Sequence, residues 1–150
     1  MAGSFPDDAI TQVTKDLHKY TIGPDPETEY DAITRLALYI CNADSAYITF
    51  ISGGQQWIKS SQGLPVPKGV AEKLCHQTIA SEQLFEIPDT MPESVDSGEP
   101  LMRFYAGVPL FTPDGYCIGA LCVLGKQPGE LTPEQRDALM TLSKEVGSRL

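Results

Sequence analysis

Basic residues are scarce in this chain: 11 Lys plus Arg stand against 20 Asp plus Glu, a formal net charge of −9 over 150 residues. Such a surface repels phosphate backbones and anionic lipid headgroups, so neither nucleic-acid binding nor membrane insertion is expected. No apolar run approaches the roughly 18 residues that a membrane span requires. No basic stretch followed by an apolar one opens the chain as a signal peptide would. The sequence therefore reads as a soluble, cytoplasmic domain. Histidine is rarer still, at 2, and the 4 cysteines (Cys41, Cys75, Cys117 and Cys122) form no CxxC pair. A structural zinc wants three or four ligands in closed geometry, and His18 and His76 stand at no finger spacing to the thiols, so no metal is expected. The thiols read as small buried hydrophobes. Walker and dinucleotide-binding fingerprints are missing. Asp89, Glu93, Asp96 and Glu99 lack calcium-loop spacing. Asp25, Glu27, Glu29 and Asp31 surround a helix start, where exposed N–H groups favour them, rather than forming a hydrolytic carboxylate pair.

The chain does have enough apolar residues, 41%, for one core. Its 13 Gly and 12 Pro predict many turns. Residues 1–8 read as a flexible tail and residues 9–150 as a single domain. Over residues 9–20, Ile10, Val13, Leu17 and Tyr20 mark a helix with a narrow apolar stripe, closer to a helix-pairing seam than to a core face. Gly23-Pro24-Asp25-Pro26 ends it. A second helix follows, with Thr28 as its cap and Ile33, Leu36, Ala37 and Ile40 as a broader core face. Residues 46–51 form a strand, Gly53-Gly54 a hairpin turn, and Trp57-Ile58 start the return strand. Residues 68–79 predict a short helix and residues 84–87 a brief strand. Residues 89–100 have no usable periodicity and read as a surface loop. Residues 103–110 predict a strand, Thr112-Pro113-Asp114-Gly115 a turn, and residues 116–124 another strand. That last strand is apolar at every position, which places it mid-sheet beneath helices. Simple alternation puts Cys117, Gly119, Leu121 and Val123 on one side of it. Thr132 caps a last helix with Pro133 at its first position and Leu139, Leu142 and Val146 as its stripe. Tight strand pairs with helices at both ends of the chain make an α+β domain with an antiparallel sheet.

Several of these segments share one resemblance. They are Arg103-Phe104-Tyr105-Ala106-Gly107-Val108-Pro109-Leu110, Asp114-Gly115-Tyr116, Ile118-Gly119-Ala120-Leu121-Cys122-Val123 and Leu131-Thr132-Pro133-Glu134-Gln135. Together they resemble the C-terminal half of a GAF domain, of the bacterial branch found in sensor histidine kinases and cyclic-di-GMP turnover proteins. Leu74-Cys75-His76-Gln77-Thr78-Ile79 resembles that branch's helix motif, with Leu74 replacing the usual phenylalanine. Gly125 and Gly129 stand where many relatives carry aspartate and arginine. Gln56-Trp57 with Gly63-Leu64 is similar to the family's first hairpin.

The resemblance implies a GAF/PAS-like fold: a central six-stranded antiparallel sheet, helices packed on one face, and a loop-covered pocket on the other. It implies a regulatory domain that senses a small molecule or transmits a signal, without catalysis of its own, in a two-component or cyclic-di-GMP setting. No cofactor is named by it. Trp57, His76, Arg103, Tyr105 and Tyr116 are the candidate ligand-binding residues, as polar or aromatic groups beside the implied pocket. A homodimer through the terminal helices is implied, with Ile10, Val13, Leu17, Leu139, Leu142 and Val146 as its candidate interface. Two alternatives stand beside this reading. One is a thiol enzyme of the free methionine sulfoxide reductase type, using Cys75, Cys117 or Cys122. The other is a ligand-free dimerisation module. Cys75 and His76 do not make a nucleophile–base pair, because adjacent helix residues point about 100° apart. The chain also lacks the cyclic-nucleotide signature of some relatives and the sequence context of bilin-binding ones.

Overall fold

The computed structural model describes residues 28–89 and 102–148. The expected helix over residues 9–20 and all of the expected loop over residues 89–100 beyond Asp89 lie outside them. The described elements run α1 (Thr28–Ile40), β1 (Ser45–Ser52), β2 (Gln55–Gly63), α2 (Lys68–Ser81), β3 (Phe85–Ile87), β4 (Phe104–Phe111), β5 (Cys117–Gly125) and α3 (Pro133–Ser148). The strands form one antiparallel sheet in the order β2-β1-β5-β4-β3. β5 is central and every one of its residues is buried, as its unbroken apolar run predicts. The β1–β2 hairpin closes at Gly53 and Gly54, with φ of 60° and 79°. Positive φ at both central residues gives the turn whose twist matches that of the strands.

The six-stranded expectation is corrected: among the described residues the sheet has five strands. The layer of helices on one face is present. α1 and α3 bury Tyr30, Ile33, Ala37, Leu139, Leu142 and Val146 against Ile48, Phe50, Val108, Leu121 and Val123. Among the described residues, the other face does not carry the expected loop-covered pocket. α2 lies across it, packing Ala71, Leu74, Cys75 and Ile79 onto Tyr47, Tyr105, Ala120, Cys122 and Leu124. Side chains fill the space where a pocket was expected.

Two bulges shift the alternation of side chains. Leu110 pairs with Gly119 but Phe111 pairs with Cys117, so Ile118 is an extra residue in β5. An inserted residue reverses the facing of what precedes it. Cys117 therefore joins the α2 side and Ile118 the α1–α3 side, opposite to the simple alternation. In β2, Lys59 is the extra residue, since Ile48 pairs with Ser60 and Thr49 with Ile58. Lys59 is only 1% exposed, and its Nζ lies 5.6 Å from the Tyr30 ring centroid. Beside it, Ser60 Oγ donates to Asp31 Oδ1 at 2.5 Å, and Thr34 Oγ1 sits 2.9 Å from Ser60 Oγ. This polar seam fixes α1 over β2. It also accounts for a narrower α1 face than periodicity predicts: Tyr30, Ile33, Thr34 and Ala37 are buried, while Leu36 and Ile40 are exposed.

α3 opens with a reciprocal cap. Gln135 N donates to Thr132 Oγ1 at 3.1 Å, and Thr132 N donates to Gln135 Oε1 at 2.8 Å. The Gln135 amide also donates to the Ile40 carbonyl at 3.1 Å, tying the start of α3 to the end of α1.

Candidate functional site

The α2 face of the sheet is where the fold gathers its chemically distinctive side chains. Tyr105, on β4, is fully buried there. Its phenolic oxygen meets Thr78 Oγ1 in a short hydrogen bond, lies 3.3 Å from the Leu74 carbonyl and 3.1 Å from Cys122 Sγ. Tyr47, on β1, reaches the Ala71 carbonyl at 3.5 Å. The phenols of two strands thus hydrogen-bond to the carbonyls of α2. Burial pushes both phenols well above their usual pKa, with the neighbouring Cys122 reinforcing the shift. The next residue facing this hub is Gly107, where a Cβ would collide with the Tyr105 hydroxyl and Thr78 Oγ1. Only glycine leaves room for the phenol to pass.

All four cysteines are free and buried. Burial raises the Cys41 and Cys117 thiols to about 11 and Cys122 to about 12, and it pushes Cys75 further up. A thiol in that state is protonated near neutrality and is a poor nucleophile. Among the described residues, no group of three or more His, Cys, Asp or Glu is arranged to hold a metal ion.

At the rim of this face, between β2 and α2, lies a cleft of about 290 Å³ lined by Gln56, Trp57, Ile58, Val66, Ala71 and Glu72. Gln56 Nε2 donates to Thr49 Oγ1 at 3.1 Å, and Thr49 Oγ1 donates to the Trp57 carbonyl at 3.0 Å. That chain of bonds leaves Gln56 Oε1 without a hydrogen-bond partner.

The five candidate ligand residues are dispersed. Tyr105 is in the core of the α2 face. Trp57 packs on the opposite cluster, 6.0 Å from the Phe50 ring, although it also borders the cleft. His76 is on the solvent side of α2. Arg103 precedes β4 and Tyr116 follows it beyond the turn, so they stand at opposite ends of that strand. Arg103 is engaged by Asp89 in a two-pronged ion pair, with Nε–Oδ1 and Nη2–Oδ2 both 2.8 Å. Of the candidate interface residues, Ile10, Val13 and Leu17 lie outside the described residues. Leu139, Leu142 and Val146 are core residues that fix α3 to its own sheet. The outward side of the α1–α3 layer exposes Leu36, Tyr39, Ile40 and Met140 instead, with Tyr39 68% exposed.

Sequence reasoning missed the partners of Tyr105, namely Tyr47, Thr78 and Cys122. They are far apart in sequence, and strand pairing together with the packing of α2 on the sheet brings them together. It also missed Glu86 on β3. Its carboxylate accepts from Leu131 N at 2.8 Å through Oε2 and from Arg136 Nε at 3.0 Å through Oε1. No local pattern marks that residue.

Comparison with known proteins places this arrangement. A family model described as GAF domain matches residues 25–150. A cyclic di-GMP phosphodiesterase of Pseudomonas aeruginosa is 35% identical over 103 residues, covering 63% of this chain and 17% of that protein. The chain thus spans about a sixth of the length of that relative. The GAF domain of an Acinetobacter phosphoenolpyruvate-protein phosphotransferase superposes with a TM-score of 0.69 at 15% identity, covering 97% of this chain and 93% of that one. A type II free methionine-R-sulfoxide reductase from Thermoplasma acidophilum superposes with a TM-score of 0.68 at 12% identity, covering 81% and 89%. At these identities the two structures speak for the fold.

Proposed function

The chain belongs to the GAF domain family, and from that premise we propose that it is a regulatory domain that transmits a signal through its α1–α3 layer, without catalysis of its own. The observation that carries this reading is the contrast between a filled α2 face and an apolar outer surface on α1 and α3. Tyr47, Tyr105 and their partners occupy the space a ligand would take, while Leu36, Tyr39 and Met140 are left for another surface. The occupant proposed for that surface is a second copy, which makes the domain a homodimer along these helices. Its setting is a larger signalling protein, cytoplasmic and bacterial, of the kind the cyclic di-GMP phosphodiesterase exemplifies. Among the described residues no helix is long and apolar enough to cross a membrane. Sedimentation of the parent and of Tyr39→Glu with Met140→Glu tests the pairing. The parent is expected at dimer mass and the variant at monomer mass; a monomeric parent overturns this surface as the dimer contact.

A small-molecule reading is favoured by one observation, the cleft between β2 and α2 with the unpartnered Gln56 Oε1. A ligand there would be small and would offer a hydrogen-bond donor. Native mass spectrometry of protein purified from its own host tests it, with a retained mass lost in Gln56→Leu as the supporting result. The thiol-enzyme reading needs a thiolate within reach of solvent. Buried cysteines with raised pKa values speak against it, and an assay of free methionine sulfoxide loss is expected to show no turnover.

A further inference from the structure

We propose that Glu86 is a coupling joint: it ties the Asp89–Arg103 ion pair to the first turn of α3, so that loosening the one loosens the other. This deepens the transmission reading and rests on it for its biological meaning. The coupling itself is a property of the folded chain and is measured separately from dimerisation.

β3 is only three residues long, Phe85–Ile87, and among the described residues it is an edge strand paired with β4. So short an edge strand is positioned largely by what grips its side chains and its ends. At one end, Asp89 is clamped by Arg103, the residue that leads into β4. In the middle, Glu86 spends both carboxylate oxygens on the entry to α3: one on Leu131 N, the other on Arg136. The Pro88 carbonyl adds a third tie, accepting from Gly129 N at 3.0 Å. The Glu86 carboxylate is 13% exposed although its partner Arg136 is 39% exposed, whereas Asp89 and Arg103 are 41% and 25% exposed. An exposed pair that solvent conditions or a partner can weaken is therefore joined through one short strand to a shielded carboxylate at a helix start. Acidic groups are also favourable at a helix N-terminus, which adds to the grip on α3. Gln135, in that same turn, holds the end of α1. A shift at β3 thus reaches both helices of the outer layer. Groups that share one hydrogen-bond network are the ones expected to couple.

Hydrogen exchange on the full 150-residue chain tests this with parent, Asp89→Asn, Glu86→Ala and the double variant. The reporters are the amides of residues 136–139 in α3, with those of α2 as the control. Asp89→Asn is expected to speed exchange in the α3 turn about threefold or more while α2 is unchanged. On the Glu86→Ala background the same substitution is expected to add nothing. Should Glu86→Ala fail to fold, Glu86→Gln keeps an acceptor for Leu131 N and loses the ion pair, and the Asp89→Asn effect is expected to shrink. An α3 turn indifferent to Asp89→Asn, effects that simply add, or a uniform rise in α2 and α3 together each overturns the proposal. A monomeric protein with intact coupling would remove the dimer reading and leave the joint standing.

Discussion

The two faces of the sheet are closed by different chemistry. On the α1–α3 side, aliphatic and aromatic groups from both helices meet alternate residues of four strands. Tyr30, Phe50 and Trp57 continue this side outwards, with Tyr30 edge-on to Phe50 at 6.2 Å and 89°. On the α2 side, among the described residues, one helix packs on the sheet, and the contact is laced with phenols, thiols and Thr78. The first kind of packing is non-directional and tolerates exchange of similar volumes. The second holds only while each polar group keeps its partner, because an unpaired one costs more than its bond returned.

The contrast predicts how each side breaks. The largest effect is expected on the α1–α3 side. Leu139→Ala removes a side chain that is almost wholly buried and should cost about 2–5 kcal/mol, read by urea denaturation. Alkaline pH attacks the other side. The Cys117 and Cys122 thiols are raised in the folded chain, mainly by burial, to about 11 and about 12. A raised thiol contributes stability that is complete below its unfolded value and is lost as pH climbs towards its folded one. Unfolding free energy should therefore hold up to the ordinary thiol value of 9.0. It should then fall, by about 1.4 kcal/mol per pH unit for each thiol that ionises only on unfolding. Cys122→Ala should make that fall shallower; an unchanged slope would contradict the assignment. Tyr105→Phe keeps the ring and removes the hydroxyl, at a cost of about 1–2 kcal/mol by thermal melting. Combined with Thr78→Val, the losses should be less than additive, since the two hydroxyls share a bond. The smallest effect is expected from Arg103→Ala, a change in melting temperature smaller than that of Tyr105→Phe, because a solvent-accessible ion pair adds little to stability.

How much of this was legible in the sequence follows from the range of the forces involved. The hairpin at Gly53-Gly54, the cap at Thr132-Pro133 and the central position of the strand ending at Leu124 rest on nearest neighbours or on plain apolar runs, and they read correctly. The facing of Cys117 and Ile118 did not, because a bulge is set by the partner strand. Leu139, Leu142 and Val146 made a stripe that periodicity alone cannot assign to a sheet or to another helix. A count of six strands follows from the resemblance and not from the residues. The same source placed a pocket on the side that α2 fills. Trp57, His76, Arg103, Tyr105 and Tyr116 were selected by residue type, and type carries no information on whether side chains converge. Glu86 was invisible for the converse reason: its importance is wholly in partners 45 and 50 residues away.

The inserted Lys59 in β2 has a bearing on how copies of this domain can meet. Among the described residues β2 is an outer strand, and the margin of an outer strand is a template on which a stray chain can grow a continuous ribbon. The irregular step at Lys59 interrupts the even spacing of amides and carbonyls such a ribbon would need, and it draws a cation inward beneath α1. When copies of this domain crowd together, that step works against fusing two sheets edge to edge along β2.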